Sequence, residues 1–223
     1  MASLNAADRE AVIKFADGCA VTRVPLSIIE QGMVEKVRKK LVGNPDYKGE
    51  VKGWFDLLIV RLCKFLTSRA DANAFHGHMA YLSRVNDRKQ LPHESELQFD
   101  LYNYLLSAMP SVLLEVSNVA SGRTDIYLPL NGFRFIIEVK RTTSRTWSCF
   151  SVRPHSKQAA SYSSTDVRLG VLATLDLSIR EPGVPHVSDC FGVLKRKHSL
   201  TDERSVIFMR VPGNRLPPSS LSR

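Results

Sequence analysis

Asp125, Glu138 and Lys140 are the residues of this 223-residue chain whose types and spacing could do chemistry. They lie in Gly122-Arg-Thr-Asp-Ile-Tyr-Leu-Pro-Leu-Asn-Gly-Phe-Arg-Phe-Ile-Ile-Glu-Val-Lys140, which reads as two strands joined by Asn131-Gly132. That dipeptide is the strongest short hairpin signal. With the turn there, facing residues have numbers that sum to 263, as Asn131 and Gly132 do. Asp125 is then expected opposite Glu138, and Arg123 opposite Lys140, all on one face. The other face holds Ile126, Leu128, Leu130, Phe133, Phe135, Ile137 and Val139, an unbroken apolar surface. Opposed carboxylates repel and destabilise a sheet, whereas a divalent cation between them converts the repulsion into a ligand set. A charge cluster at a sheet end, stabilised by Arg123 and Lys140, is the plainer reading. Against it, Ile136-Ile137-Glu138-Val139 reads as a central strand, where an unpaired charge is costly.

Asp125, twelve intervening residues and then Glu138-Val139-Lys140 resemble the signature of the PD-(D/E)XK nucleases, the family with the restriction-endonuclease-like fold. Thr124 stands where the family's name has Pro, as in many members. Gln158-Ala-Ala-Ser-Tyr162 is similar to the Q-x-x-x-Y element of the RecB-like exonuclease branch. The resemblance spans roughly residues 91 to 212. It implies an α/β (α+β) core with a mixed central sheet flanked by helices. It also implies that Asp125 and Glu138 bind one or two magnesium ions, replaceable by manganese, with the Val139 carbonyl as a further ligand. Oxygen donors without His or Cys suit those hard cations. Lys140 would contact the attacking water and the scissile phosphate, offsetting charge that develops in the transition state. Gln158 and Tyr162, four apart on one helix face, would approach the nucleic-acid backbone.

A helix-borne Glu often completes the metal site in this family. Glu94 continues the Leu97–Leu101–Leu105 face that must pack on the sheet. Glu96 is its rival, and Ser95-x-x-Gln98 reads equally as a capping box that leaves Glu94 outside the helix. Residues 134 to 168 contain seven basic residues, Arg134, Lys140, Arg141, Arg145, Arg153, Lys157 and Arg168, against the two acids Glu138 and Asp166. Arg141, Arg145, Arg153 and Lys157 are the expected phosphate contacts. Arg38-Lys39-Lys40 and Lys195-Arg196-Lys197 read as solvent-facing. His76 and His78, two apart on a helix, point to different sides and suggest no zinc site. No nucleophile turn of the G-x-S-x-G kind supports covalent catalysis.

The elements that must position these residues follow from periodicity. Ala6 to Phe15, Ile28 to Leu41 and Trp54 to Leu66 have apolar residues at helical spacing, with a break at Gly43-Asn44-Pro45-Asp46. Residues 1 to 90 thus form a helical region, expected to act as an adaptor, lid or dimerisation element. Glu94 to Ala108 is an amphipathic helix, followed by a strand at Val112 to Val116 and the hairpin. Pro154 suits the first turn of a helix that runs to about Ser163. Leu169 to Leu175 reads as a strand buried on both faces, and Val187 to Lys195 and Ser205 to Val211 as further strands. Residues 91 to 212 form the expected core, and residues 213 to 223 a disordered tail after Pro212-Gly213.

A net charge of +9 suits a polyanionic partner. A hydrophobic fraction of 43% supports a packed interior rather than disorder. No run approaches a membrane span and no signal peptide is evident. Cys19, Cys63, Cys149 and Cys190 form no C-x-x-C pair, as expected of reduced thiols in a cytoplasmic protein. The expected activity is metal-dependent phosphodiester hydrolysis on nucleic acid, DNA rather than RNA. The expected associations exclude a membrane and allow a second copy or a partner protein at the N-terminal helices. Two other readings stand beside it: a catalytically silent nucleic-acid-binding or assembly subunit, and an effector or toxin nuclease acting against phage.

Overall fold

The computed structural model describes residues 25–72, 77–109, 111–119, 122–130, 132–144, 166–179, 185–197 and 202–216. Among the described residues, three helices, α1 (Ile28–Leu41), α2 (Gly49–Ala70) and α3 (Glu94–Leu106), precede six strands. The strands are β1 (Leu113–Val119), β2 (Gly122–Pro129), β3 (Arg134–Thr142), β4 (Leu169–Asp176), β5 (Phe191–Lys197) and β6 (Glu203–Pro212). They form one mixed sheet in the order β1-β2-β3-β4-β6-β5. β1, β2 and β3 are antiparallel, β3, β4 and β6 run parallel, and β5 closes the far edge antiparallel to β6. The chain is therefore a mixed α/β protein.

The order follows from what each strand can bury. All eight residues of β4 are buried, which suits an interior strand of a parallel region. Phe135 to Val139 of β3 are buried as well. Strand alternation sends Ile137, Val139, Val171, Ala173, Leu175, Ile207, Met209 and Val211 into one hydrophobic cluster with the helices. The other face carries Ile136, Glu138, Leu172, Thr174, Val206 and Arg210, which are also buried. Glu138 thus occupies an interior position on a central strand.

The hairpin register is the expected one. Ile126 pairs with Ile137, Tyr127 with Ile136, Leu128 with Phe135 and Pro129 with Arg134, every pair summing to 263. Gly132 has φ 82°, the positive φ that such a turn requires. Leu130 N–H donates to the Phe133 carbonyl (2.9 Å) and closes the loop.

Several boundaries differ from expectation. α1 begins and ends as periodicity predicts, and α2 extends the expected segment at both ends. Neither is set apart from the sheet. Met33, Val37 and Leu41 of α1 and Phe55, Leu62 and Phe65 of α2 lie in the same cluster as the strands, with α2 against β6 and α1 against β5. β1 runs to Val119 rather than Val116, with an irregularity between Ser117 and Val119. Val187–Asp189 is a short 3-10 turn, because His186 Nδ1 accepts from Ser188 N–H and stops extended pairing; β5 begins only at Phe191. Residues 213–216 are tied down rather than loose. Gly213 N–H bonds Asp176 O (2.8 Å), Asn214 bonds Leu177 O and Val85 N–H, and Arg215 donates to the carbonyls of Arg69 and Ala70 at the end of α2. The two Arg215 bonds satisfy carbonyls that a helix end leaves open. The expected helices at Ala6 to Phe15 and after Pro154, and residues 217–223, lie outside the described residues.

Candidate active site

Antiparallel pairing directs alternate backbone groups at the neighbouring strand. After the Leu130–Phe133 bond, the residues of β3 whose N–H groups point toward β2 are Phe135, Ile137 and Val139. The ladder stops at Ile126 and Ile137, so Val139 N–H receives no backbone partner there. The carboxylate of Asp125 takes it instead, with Oδ2 2.7 Å from the nitrogen. Asp125 therefore does not lie directly across a continuing ladder from Glu138, and the expected opposition of Arg123 and Lys140 is not reached. The reason is local: a side-chain acceptor replaces a backbone one. Asp125, Glu138 and Lys140 nonetheless come together on one face, as their spacing predicts.

Lys140 Nζ stands among three oxygens. It is 2.5 Å from Glu138 Oε1, 3.1 Å from the Val139 carbonyl and 3.7 Å from Asp125 Oδ2. Glu138 is 1% exposed, and its second oxygen, Oε2, has no hydrogen-bond partner among the described residues. A buried acceptor left unpaired is costly. Burial above all, and then the neighbouring charge of Asp125, pushes the Glu138 carboxyl up to about 7 against the opposing pull of Lys140. Burial also raises Asp125; the Val139 N–H and Lys140 draw it back, while Glu94 and Glu115 push it further up. Burial alone would lower Lys140, but the surrounding carboxylates outweigh it and hold the ammonium charged.

Glu94 is the first residue of α3, half-buried, while Glu96 is exposed. The alternative reading, a capping box at Ser95 and Gln98, does not form: His93 is the N-cap, with its Nδ1 accepting from Ser95 N–H. Gln98 is freed from that role because the helix begins two residues earlier than such a box requires. It is buried instead, and its Nε2 donates to the Asp125 carbonyl (3.1 Å). Glu94 is near enough for its charge to act on Asp125, Glu138 and Lys140. Glu115 of β1 acts on Asp125 in the same way from a φ of 53°. Neither Gln98 nor Glu115 was expected at the site. Gln98 had a legible signal, since it lies four residues after Glu94 on the same helix face. Glu115 had none, because nothing in its type predicts a left-handed residue inside a strand. Among the described residues, no three acidic, His or Cys side chains close into a ready-made cation cluster. The cation amid the Asp125, Glu138 and Val139 oxygens is the Lys140 ammonium.

The basic face is less free than its composition suggests. Arg134 Nε lies 3.2 Å from Asp166, and Arg168 lies 3.9 Å from Asp46 and 3.5 Å from Asp202. Arg141 is exposed, and its Nη1 donates to the Pro92 carbonyl just before α3. Arg38 is not solvent-facing as expected, because it bonds Asp56 of α2 at 3.1 Å. Lys195 pairs with Glu203 at 2.7 Å. His78 is exposed, and Cys63 and Cys190 are buried. Gln158, Tyr162, Arg145, Arg153, Lys157, His76, Cys19 and Cys149 lie outside the described residues. Among the described residues, no helix is long and apolar enough to cross a membrane. Compared with family models, with curated proteins and with solved structures, the chain gives no match.

Proposed function

We propose that this protein is a nuclease that hydrolyses phosphodiester bonds of nucleic acid, DNA rather than RNA, with magnesium or manganese, and that its sheet is a restriction-endonuclease-like core. The observation that carries this reading is Glu138: a buried carboxylate on a central strand, one oxygen on Lys140 and the other without a partner among the described residues, with Asp125 beside it. A packed core has little use for such an oxygen, whereas a cation ligand requires one. The donor chemistry fits, since Asp125, Glu138 and the Val139 carbonyl offer hard oxygens of the kind magnesium binds. Those three would hold the ion, with Glu94 and Glu115 adding negative charge around it. Bound there, the ion would supply Lewis-acid polarisation of a phosphoryl oxygen and acidify water.

The chain's own residues account for the rest. Glu138 must lose its proton before it can serve as a ligand, so its carboxyl near 7 ties cation binding to pH. Lys140 must give up the three oxygens it touches. Displaced from them by no more than the sweep of its own side chain, the ammonium would face a phosphate and stabilise charge that builds on its oxygens during in-line attack. Gln158, Tyr162, Arg141, Arg145, Arg153 and Lys157 would position the strand.

Circular, linear and single-stranded DNA, and RNA, incubated with the purified protein and magnesium or manganese, test the reading. Cleavage that EDTA abolishes is expected, on DNA faster than on RNA. Absence of cleavage with either cation, or undiminished cleavage in excess chelator, overturns it. One observation favours a second reading. Lys140 already neutralises Glu138 at 2.5 Å, as a silent binding or assembly subunit with a structural ion pair would have it. That reading predicts nucleic-acid binding without turnover.

A further inference from the structure

We infer that Gln98 is a positioning residue that fixes the Asp125 carboxylate for cation binding, an inference that rests on the metal-dependent reading above. Gln98 is 6% exposed on a helix face otherwise made of Leu97, Leu101 and Leu105. Burial of an amide is unfavourable unless the amide is hydrogen-bonded, and the bond it makes is to the backbone of Asp125: Nε2 to the carbonyl, 3.1 Å.

Asp125 is where both neighbouring ladders lapse. On one side, pairing of β2 with β3 ends at Ile126 and Ile137. On the other, pairing of β1 with β2 passes from Leu114–Ile126 to Val116–Thr124, and Glu115 between them has φ 53°. Asp125 is thus a paired residue of neither ladder. Two side-chain bonds define it in their place, Gln98 on its carbonyl and its own carboxylate on Val139 N–H. The first sets where the Asp125 backbone lies, and the second sets where the carboxylate points relative to Glu138 and the Val139 carbonyl. Gln98 also follows Glu94 by one helical turn, and Arg141 holds the helix start through Pro92. The Gln98 bond therefore places the helix acid and the strand acid as one unit. Partners that orient a ligand in this way alter metal affinity when they are removed.

The test uses the full-length protein without nucleic acid, titrated with manganese alone and followed by paramagnetic resonance of the free ion. Q98M keeps the shape of the side chain and removes the donor. Q98N, one methylene too short to reach the Asp125 carbonyl, is measured beside it in case Q98M fails to fold. Both should bind manganese about tenfold more weakly than wild type. In turnover, the magnesium concentration for half-activation should rise by a similar factor, with KM for DNA unchanged and kcat recovered at saturating magnesium. A purely structural role would lower the melting temperature of the metal-free protein and leave the manganese affinity of the folded molecules within about twofold of wild type; that result overturns the inference alone. If wild type shows no manganese binding that Glu138→Gln removes, the inference and the metal-dependent reading fall together.

Discussion

At the scale of single residues, Lys140 works in two opposed ways: its ammonium stabilises the metal-free site and stands where a cation would bind. Removing a unit charge a few ångströms from a dication site strengthens binding even at an effective dielectric near 20. Lys140→Met should therefore bind manganese tighter, by on the order of tenfold or more, while losing cleavage. Titration and turnover on the same variant measure both, and manganese binding no tighter than wild type would show that the ammonium does not compete. Glu138 and Asp125 should respond differently from each other. The folded carboxyl of Glu138 lies near 7, above its ordinary 4.5. As pH rises from about 4.5, the unfolded chain gives up this proton first, so stability falls until about pH 7 and then levels. Denaturant unfolding of the metal-free protein across that window should show the decline, and Glu138→Gln should flatten it, with a gain above pH 7 on the order of 1–3 kcal/mol. Asp125→Ala should instead destabilise the metal-free protein by about 1–3 kcal/mol, because Val139 N–H loses its acceptor.

At the scale of elements, the site depends on how α3 is held. Asp100 on that helix receives both Arg69 of α2, through Nε and Nη2 at 2.7 Å each, and the Tyr81 hydroxyl at 2.7 Å. Its side chain is 5% exposed, so removal leaves a guanidinium and a phenol without their acceptor. Breaking a buried pair of this kind costs about 3–5 kcal/mol, and unfolding of Asp100→Ala should show a loss of that order. Glu203→Ala, which breaks the exposed pair with Lys195 on the far edge of the sheet, should cost under about 1 kcal/mol. Equal effects would mean that the α2–α3 joint is no more constrained than the surface. The hairpin is the contrasting case. Its register was legible in Asn131-Gly132 alone, because a two-residue turn dictates every pair beyond it. Where the ladder would stop was not legible, since a carboxylate competing for the Val139 N–H depends on how β2 diverges.

At the scale of the molecule, a net charge of +9 counts residues that other residues neutralise. Arg134 and Arg168 are occupied by Asp166, Asp46 and Asp202. Neutralising those two arginines should change the salt dependence of nucleic-acid binding little. Neutralising Arg141, Arg145, Arg153 and Lys157 should lower the slope by up to about 0.9 for every duplex phosphate the protein ceases to neutralise, or about 0.7 on a single strand. Binding isotherms over a salt series on metal-free protein separate the two sets. A large drop in slope from Arg134 and Arg168, with none from the other four, would move the phosphate track to the Asp46 and Asp202 side.

Local rules were enough for much of this protein. The turn, the apolar face of the hairpin, the helical spacing of Ile28 to Leu41 and the buried run from Leu169 follow from interactions between residues a few positions apart, and they bring Asp125, Glu138 and Lys140 to one face. Folding in three dimensions settled matters that join distant parts of the chain. Arg168 meets Asp46, Asn214 meets Leu177 and Val85, and Gln98 meets the Asp125 carbonyl. Each is a choice among several donors or acceptors of the same type, and only packing decides which one comes within hydrogen-bonding distance. The same reason explains why α1 and α2, legible as helices, could not be read as part of the core of the sheet: periodicity shows that a face is apolar and leaves open what it is buried against.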